Sequence, residues 1–150
     1  MKRNSSIRES FEADCRRLGW KCTIQRFAVY QAVSGNTEHP TVETVCQSVR
    51  EIVPGISSDS VHRILDDFAQ AGLIQRMEGL SCLHYDSEVK EHAHFVCTQC
   101  GRIEDLSVDI RSTVLPRIKS LGHVSDIRLI GLCRHCAQKN KSPSRTRRSA

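Results

Sequence analysis

Two pairs of cysteines have the spacing with the clearest chemical meaning in this sequence. Two residues separate the cysteines of each pair, which lets both sulfurs reach one ion at about 2.3 Å. Two such pairs supply the four thiolates of a closed tetrahedral zinc site, whereas a redox Cys-x-x-Cys motif would need only one pair, near a βαβ pattern. The spacing therefore predicts one structural Zn(2+), with the ligands Cys97, Cys100, Cys133 and Cys136.

A second group of candidate ligands combines imidazoles with carboxylates. His92 and His94 are two residues apart, so on a strand their side chains project from the same face. Asp86 precedes them, Asp105 follows them, and His39 stands alone much earlier in the chain. Such a set suits Fe(2+) or Mn(2+), because oxygen ligands weaken a thiolate-type preference for zinc. Single histidines and surface aspartates are nevertheless common without a metal, so spacing alone leaves this five-ligand site open.

Composition and charge narrow the class of protein. The 150 residues fit one domain or two small ones. Eight cysteines without a signal peptide argue against a secreted disulfide scaffold, and no apolar run approaches the roughly 18 residues that span a membrane. We therefore expect a cytoplasmic protein. The net charge of +5 arises from residues 137–150, a polar segment that we expect to be a disordered basic tail.

Four helices are predicted before residue 73, each from apolar residues at helical spacing. Thr23, Thr41 and Ser57 are of the type that caps a helix N-terminus. The fourth helix also has a polar face, and two apolar stretches around Glu78-Gly79 predict a hairpin after it. This order describes a winged helix-turn-helix whose fourth helix would read the major groove of double-stranded DNA. A plain helical domain with a solvated fourth helix is the alternative, and the hairpin favours DNA reading.

The second half of the chain predicts a thinner structure. Strands are expected at 92–96, 102–106 and 124–132, with a helix at 108–121 that Pro116 would kink or split. So thin a core is expected to pair with a second copy, giving a homodimer. The predicted fold class is therefore α+β, with a winged helix-turn-helix domain followed by a small α/β dimerisation domain that a four-cysteine zinc site clamps. The predicted boundaries are 1–85 for the DNA-binding domain, 86–91 for a hinge, 92–136 for the dimerisation and metal-binding domain and 137–150 for the tail.

Over about residues 8–136 the sequence resembles the ferric uptake regulator superfamily. The matching stretches are 23–26, 38–41, 60–63, 92–101 and 131–136. The resemblance implies a homodimeric, metal-activated transcriptional repressor that is not an enzyme. It places the DNA contacts at Ser58, Ser60, His62 and Arg63. The family usually has tyrosine at the position of His62, which leaves the operator sequence undetermined.

The same resemblance points to one branch of the superfamily. Aspartate at both carboxylate positions, Asp86 and Asp105, is similar to the peroxide-stress regulators, whereas iron-uptake members usually have glutamate. In the peroxide-sensing branch ligand histidines are oxidised, and the matching positions are His39 and His92. A further metal site of the iron sensors is expected to be absent, since its positions are occupied here by Ala93, Ser112 and Ser125.

Two other functions remain open at this point. One is an iron- or manganese-responsive repressor of metal uptake without peroxide sensing. The other is a zinc-ribbon thiol oxidoreductase, in which one cysteine pair would cycle between dithiol and disulfide. The remaining cysteines divide into two pairs. Cys15 and Cys46 are predicted to lie in the core, and Cys22 and Cys82 to be exposed. His84, His123 and His135 are predicted to be surface residues.

Overall fold

The computed structural model of the chain describes residues 2–78, 82–90, 92–106, 112 and 127–140. Two compact units, residues 1–90 and residues 91–150, make up the chain. The described part of the first unit is mainly helical, and the described part of the second unit is mainly a small sheet. The predicted α+β class is therefore confirmed. Within the described residues, no helix has both the length and the hydrophobicity that a bilayer-spanning segment requires.

The first unit begins with four helices whose starts follow the predicted caps. They are α1 (Lys2–Leu18), α2 (Ile24–Val33), α3 (Val42–Arg50) and α4 (Ser58–Gln70). The side chains of Thr23, Thr41 and Ser57 each accept a hydrogen bond from a backbone N–H three residues later. Each cap thus satisfies a backbone donor that has no partner within its helix.

The core of the first unit forms where the apolar faces of its helices pack together. Phe68 and Leu65 of α4 are fully buried, and Phe11 and Cys15 of α1 pack into the same cluster. Two apolar residues at the ends of the helices are exposed instead of packed into this core: Ile24 is 64% exposed and Ile52 is 48% exposed. Ile24 is the first residue of α2 and Ile52 follows the end of α3, so both lie past the packed turns of their helices.

A two-stranded antiparallel hairpin completes the first unit, as predicted for a wing. It consists of β1 (Gln75–Glu78) and β2 (Leu83–Asp86), with Gln75 opposite Asp86. Its turn, predicted at Glu78-Gly79, falls largely outside the described residues. Asp86 was predicted on the hinge, but it is the last residue of β2 and is buried. Backbone pairing across the hairpin therefore holds this carboxylate in place.

The described part of the second unit is a three-stranded sheet and a short helix. The strands are β3 (Ala93–Cys97), β4 (Ile103–Leu106) and β5 (Ile127–Gly131), in the order β4-β3-β5. The β3 strand pairs with β4 antiparallel and with β5 parallel. The predicted helix at 108–121 lies outside the described residues, apart from the helical Ser112.

The end of the chain differs from the prediction in one respect. A short helix, α5 (Arg134–Asn140), begins within the second cysteine pair. Residues 137–140, which we assigned to the tail, are therefore helical up to Asn140. The side chain of Asn140 donates a hydrogen bond to that of Gln99 at 3.1 Å, which ties α5 to the first cysteine pair. Residues 141–150 lie outside the described residues.

Candidate metal centres and nucleic-acid interface

The two cysteine pairs meet because each follows one of two neighbouring parallel strands. The β3 strand ends at Cys97, which lies opposite Gly131 at the end of β5. The backbone N–H of Thr98 donates to the carbonyl of Gly131 at 2.7 Å, which continues the pairing into the loops. After the first cysteine pair the backbone turns tightly at Gly101, whose φ is +70°. Parallel pairing thus places both pairs at one end of the sheet.

The four sulfur atoms of this cluster have the spacing of a zinc site. The ligand atoms of Cys97, Cys100, Cys133 and Cys136 all lie within 4.8 Å of one another. The sulfurs of Cys100 and Cys133 are 3.9 Å apart. Around an ion with bonds of about 2.3 Å, tetrahedral sulfurs would be about 3.8 Å apart. The donor set and its spacing therefore fit Zn(2+).

Backbone amides add to the electrostatics of the cysteine cluster. The N–H of Cys133 donates to the sulfur of Cys97 at 3.3 Å, and the N–H of Cys136 donates to the sulfur of Cys133 at 3.5 Å. Hydrogen bonds from the backbone of Cys133 and Cys100 lower the pKa of Cys97 to about 6. Burial raises the pKa of Cys136 to about 12. A divalent cation would favour the thiolate at every ligand position.

In the first unit, His39 and Asp86 come together although they are far apart in sequence. The carboxylate oxygen of Asp86 lies 3.9 Å from the Nε2 atom of His39, and both side chains are buried. The β2 strand holds the segment that contains His39: Tyr85 donates its N–H to the carbonyl of Pro40 at 3.0 Å. His84 donates from Nδ1 to the carbonyl of His39 at 2.7 Å. The wing thus positions an imidazole beside a carboxylate.

The backbone of His39 is in an unusual conformation. Its φ of +49° makes it the one residue other than glycine with a positive φ among the described residues. A non-glycine residue in this region costs about 1–3 kcal/mol and persists only where its surroundings impose it. Strain of this kind is concentrated at functional sites. The hydrogen bond from His84 to the same peptide group supplies part of that constraint.

In the second unit, two imidazoles converge on one carboxylate. His94 on β3 lies directly opposite Asp105 on β4. The Oδ1 atom of Asp105 is 3.2 Å from Nε2 of His92 and 3.6 Å from Nε2 of His94. The two imidazole rings are in edge-on contact, with centroids 4.3 Å apart. Alternation of side chains along the chain at β3 and the register of β3 with β4 together bring these three candidate metal ligands to one place on the sheet.

The predicted DNA-reading face of α4 is exposed but partly engaged with other residues. Arg63 and His62 are exposed, and Nδ1 of His62 lies 3.1 Å from a carboxylate oxygen of Asp66. The other oxygen of Asp66 is 3.2 Å from a guanidinium nitrogen of Arg76 on β1. Asp66 thereby links α4 to the wing.

The two serines predicted to contact DNA lie in the first turn of α4. Ser58 is exposed and accepts a hydrogen bond from Arg50 of α3 at 3.3 Å. The hydroxyl of Ser60 is 2.8 Å from that of the cap residue Ser57. Capping of α4 thus uses part of the hydrogen-bonding capacity of Ser60.

Residues 17–125 match the model of the ferric uptake regulator family, which is most of the chain. The chain belongs to this family. The resemblance inferred from the motifs is therefore confirmed, and the chain is a metal-responsive regulator of the ferric uptake regulator type. Members of the family are dimeric DNA-binding regulators rather than enzymes.

Particular members of the ferric uptake regulator family are similar over most of their length. The peroxide-responsive repressor PerR of Staphylococcus aureus is 28% identical over 136 residues, covering 85% of this chain and 89% of that protein. The Helicobacter pylori ferric uptake regulator, whose structure has three functional metal-binding sites, superposes with a TM-score of 0.73 at 25% identity, covering 89% of this chain and 93% of that one. The Campylobacter jejuni peroxide stress regulator superposes with a TM-score of 0.61 at 28% identity, covering 75% and 88%.

Two features of this family member were not anticipated from its sequence. His84, predicted to be a surface residue, is half-buried and bonded to the backbone of His39. It lies two residues before Asp86, so strand alternation could have placed both on one side of β2. The ion pair between Asp66 and Arg76 was missed because Arg76 lies on a different element from Asp66. His135 is exposed as predicted, whereas His123 lies outside the described residues.

Proposed function

We propose that this chain is a homodimeric, metal-dependent transcriptional repressor that releases operator DNA when peroxide oxidises one of its ligand histidines. The observation that carries the proposal is the pairing of buried His39 with Asp86 at the end of the wing. An imidazole nitrogen and a carboxylate oxygen held side by side can both act as ligands of one divalent cation, which would offset the cost of burying the carboxylate. The similarity to peroxide-responsive repressors supports the peroxide response.

The proposal assigns the two kinds of ligand to two metal ions. The four clustered cysteines would hold structural Zn(2+), which stabilises the second unit in every state. The imidazole and carboxylate ligands would hold the regulatory ion, Fe(2+) or Mn(2+). These regulatory ligands are His39, Asp86, His92, His94 and Asp105.

A shared regulatory ion would couple metal binding to DNA binding. Two of its proposed ligands, His39 and Asp86, belong to the unit that carries α4. The other three belong to the second unit. Since only one arrangement of the chain completes the ligand set, the ion would shift the population toward that arrangement. In a dimer, that arrangement would be the one in which both α4 helices fit successive major grooves.

The second unit has a surface suited to pairing with another copy. Three large apolar side chains, Leu129, Ile130 and Leu132, are 52%, 62% and 43% exposed. They lie on or directly after β5, which is an edge strand of the described sheet. An edge strand with exposed apolar side chains is stabilised by a covering partner. This surface supports the proposed dimer.

His39→Ala is expected to abolish metal-dependent DNA binding without loss of zinc. The variant removes one proposed regulatory ligand, whereas all four clustered cysteines belong to the other unit. Metal content would be measured together with operator affinity at increasing Mn(2+) concentration. His135→Ala is the matched control, because this exposed histidine belongs to neither ligand set. If the His39→Ala variant still responds to Mn(2+) like the wild type, His39 is not a regulatory ligand.

Arg63→Ala is expected to weaken operator binding by roughly 1–3 kcal/mol if this exposed side chain contacts a base edge. A contact with phosphate would instead produce a smaller loss that is equal for operator and random DNA. Titration of both duplexes at one fixed salt concentration separates these cases. Arg102→Ala controls for the lost charge, because Arg102 is exposed in the second unit. Unchanged affinity for both duplexes would exclude Arg63 from the interface.

Metal analysis would separate the proposed function from its alternatives. DNA binding would be measured with Fe(II), Mn(II) and Zn(II), before and after a pulse of peroxide. Loss of binding in the Fe(II) form alone supports peroxide sensing, whereas binding that persists in every form indicates a repressor that responds to iron or manganese. Loss of zinc after mild oxidation, with a new disulfide between the clustered cysteines, would favour a thiol oxidoreductase.

A further inference from the structure

His62 lies in the second turn of α4, on the side of the helix that faces away from the core. The buried residues of α4 are all apolar and pack into the core of the first unit. The side chain of His62 is 48% exposed, so its ring can reach a ligand. The N-terminal part of a reading helix is the part that contacts base edges in the major groove. His62 is therefore well placed to contact a base edge.

One edge of the His62 ring faces a carboxylate that is itself held in place. Nδ1 of His62 lies 3.1 Å from Oδ2 of Asp66, four residues further along α4. The other carboxylate oxygen, Oδ1, is buried and lies 3.2 Å from a guanidinium nitrogen of Arg76 on β1. The carboxylate of Asp66 is thus held between the wing and the imidazole of His62.

This carboxylate decides which ring nitrogen of His62 carries the proton. A neutral imidazole has one N–H and one nitrogen that accepts a hydrogen bond. An ionised carboxylate only accepts, so it attracts an N–H at Nδ1 and repels a lone pair there. Neutral His62 therefore carries its proton on Nδ1. Its Nε2 is left with a lone pair and no proton.

We propose that Nε2 of His62 accepts a hydrogen bond from a base amino group, and that Asp66 sets this preference by fixing the tautomer of the imidazole. The inference rests on the proposed function, in which α4 reads the operator. The amino groups in the major groove are N6 of adenine and N4 of cytosine. The purine N7 atoms in the same groove are acceptors, which an unprotonated nitrogen does not bind. Tyrosine, usual at this position in the family, can both donate and accept, so His62 is the more selective reader.

Base analogues that lack single atoms provide the test. Full-length protein loaded with zinc and Mn(II) would first be used at about pH 8, where an exposed imidazole is ordinarily neutral, to select duplexes of random sequence. Comparison with His62→Ala identifies the base pair at which His62 imposes a preference. The amino group there would then be removed by replacing adenine with unsubstituted purine, or cytosine with 2-pyrimidinone. In a separate duplex, the purine of that pair would be replaced by its 7-deaza analogue, which lacks the acceptor N7.

Removal of the amino group should weaken binding of the wild type by about 2- to 10-fold, the effect of one hydrogen bond. The 7-deaza duplex should bind as the unmodified duplex does. In His62→Ala, removal of the amino group should cause no comparable loss, which controls for the weaker base pair. The inference is overturned if the 7-deaza duplex is the one that binds more weakly, because His62 would then donate. Equal losses in wild type and His62→Ala would overturn it as well.

Two variants separate the positioning role of Asp66 from a structural one. Asp66→Asn should bring the loss caused by removing the amino group down to that of His62→Ala, because an amide does not impose one tautomer. Arg76→Gln removes the ion pair with the wing but keeps the carboxylate beside His62, so it should preserve the full loss. If Asp66→Asn instead weakens binding to both duplexes equally, Asp66 only supports the fold and the proposal fails.

The same selection distinguishes this inference from the proposed function on which it rests. If the metal-loaded wild type selects no sequence from random duplexes, the proposed repressor function fails and the inference fails with it. If the wild type selects a sequence and His62→Ala selects the same sequence equally strongly, only the role of His62 is refuted. The function of the chain as a metal-dependent repressor would then still stand.

Discussion

Hydrogen peroxide should add one oxygen atom to His39 or His92 of the Fe(II)-loaded protein and abolish its binding to operator DNA. The Mn(II)-loaded protein should keep both its histidines and its DNA binding. Bound Fe(II) would supply the reducing electrons for peroxide, which Mn(II) does not readily do. An oxidised imidazole is a poorer ligand, and without it the arrangement that binds DNA loses its stabilisation.

The two histidines can be monitored independently. After tryptic digestion His39 lies in peptide 27–50, whereas His92 lies in peptide 91–102. The second peptide also contains His94, so fragment ions are needed to assign the added oxygen. His135 is exposed and outside the proposed ligand set, and its peptide should stay unmodified.

Unmodified histidines in Fe(II) protein that still binds DNA after peroxide would refute peroxide sensing. A repressor that responds to iron or manganese would then be the better description.

Cys97→Ser should remove zinc and leave a chain that cannot dimerise. Cys97 is fully buried, and its sulfur is one of four within 4.8 Å of one another. A structural zinc site stabilises its folded domain by on the order of 10 kcal/mol. The small sheet of the second unit has few other buried side chains among its described residues, so it cannot offset such a loss. Zinc content, sedimentation and circular dichroism would measure the effect.

The control for Cys97→Ser is a cysteine outside the cluster. Cys82→Ser should retain one zinc per subunit and the dimer, because Cys82 belongs to the first unit. A Cys97→Ser protein that contains no zinc but is folded and dimeric would show that zinc is not structural. Retention of zinc by the remaining three cysteines would show that Cys97 is not an essential ligand.

Local features of the sequence were sufficient to predict the elements of the first unit. The starts of α2, α3 and α4 follow their caps, because the cap residue hydrogen-bonds to a backbone group three residues away. The apolar stripe of α4 was also predictable from its helical spacing. Likewise, the two-residue gap within each cysteine pair is sufficient to indicate a shared ion.

Only the tertiary structure decided how distant residues come together. Nothing in either cysteine pair specifies that β3 and β5 run parallel, yet the parallel pairing of these strands brings both cysteine pairs to one end of the sheet. His84 hydrogen-bonds to the strained His39, and Tyr85 hydrogen-bonds to Pro40. Both contacts join segments that are far apart in sequence. Such contacts depend on the packing of whole elements, whereas caps and spacings depend only on residues within one turn.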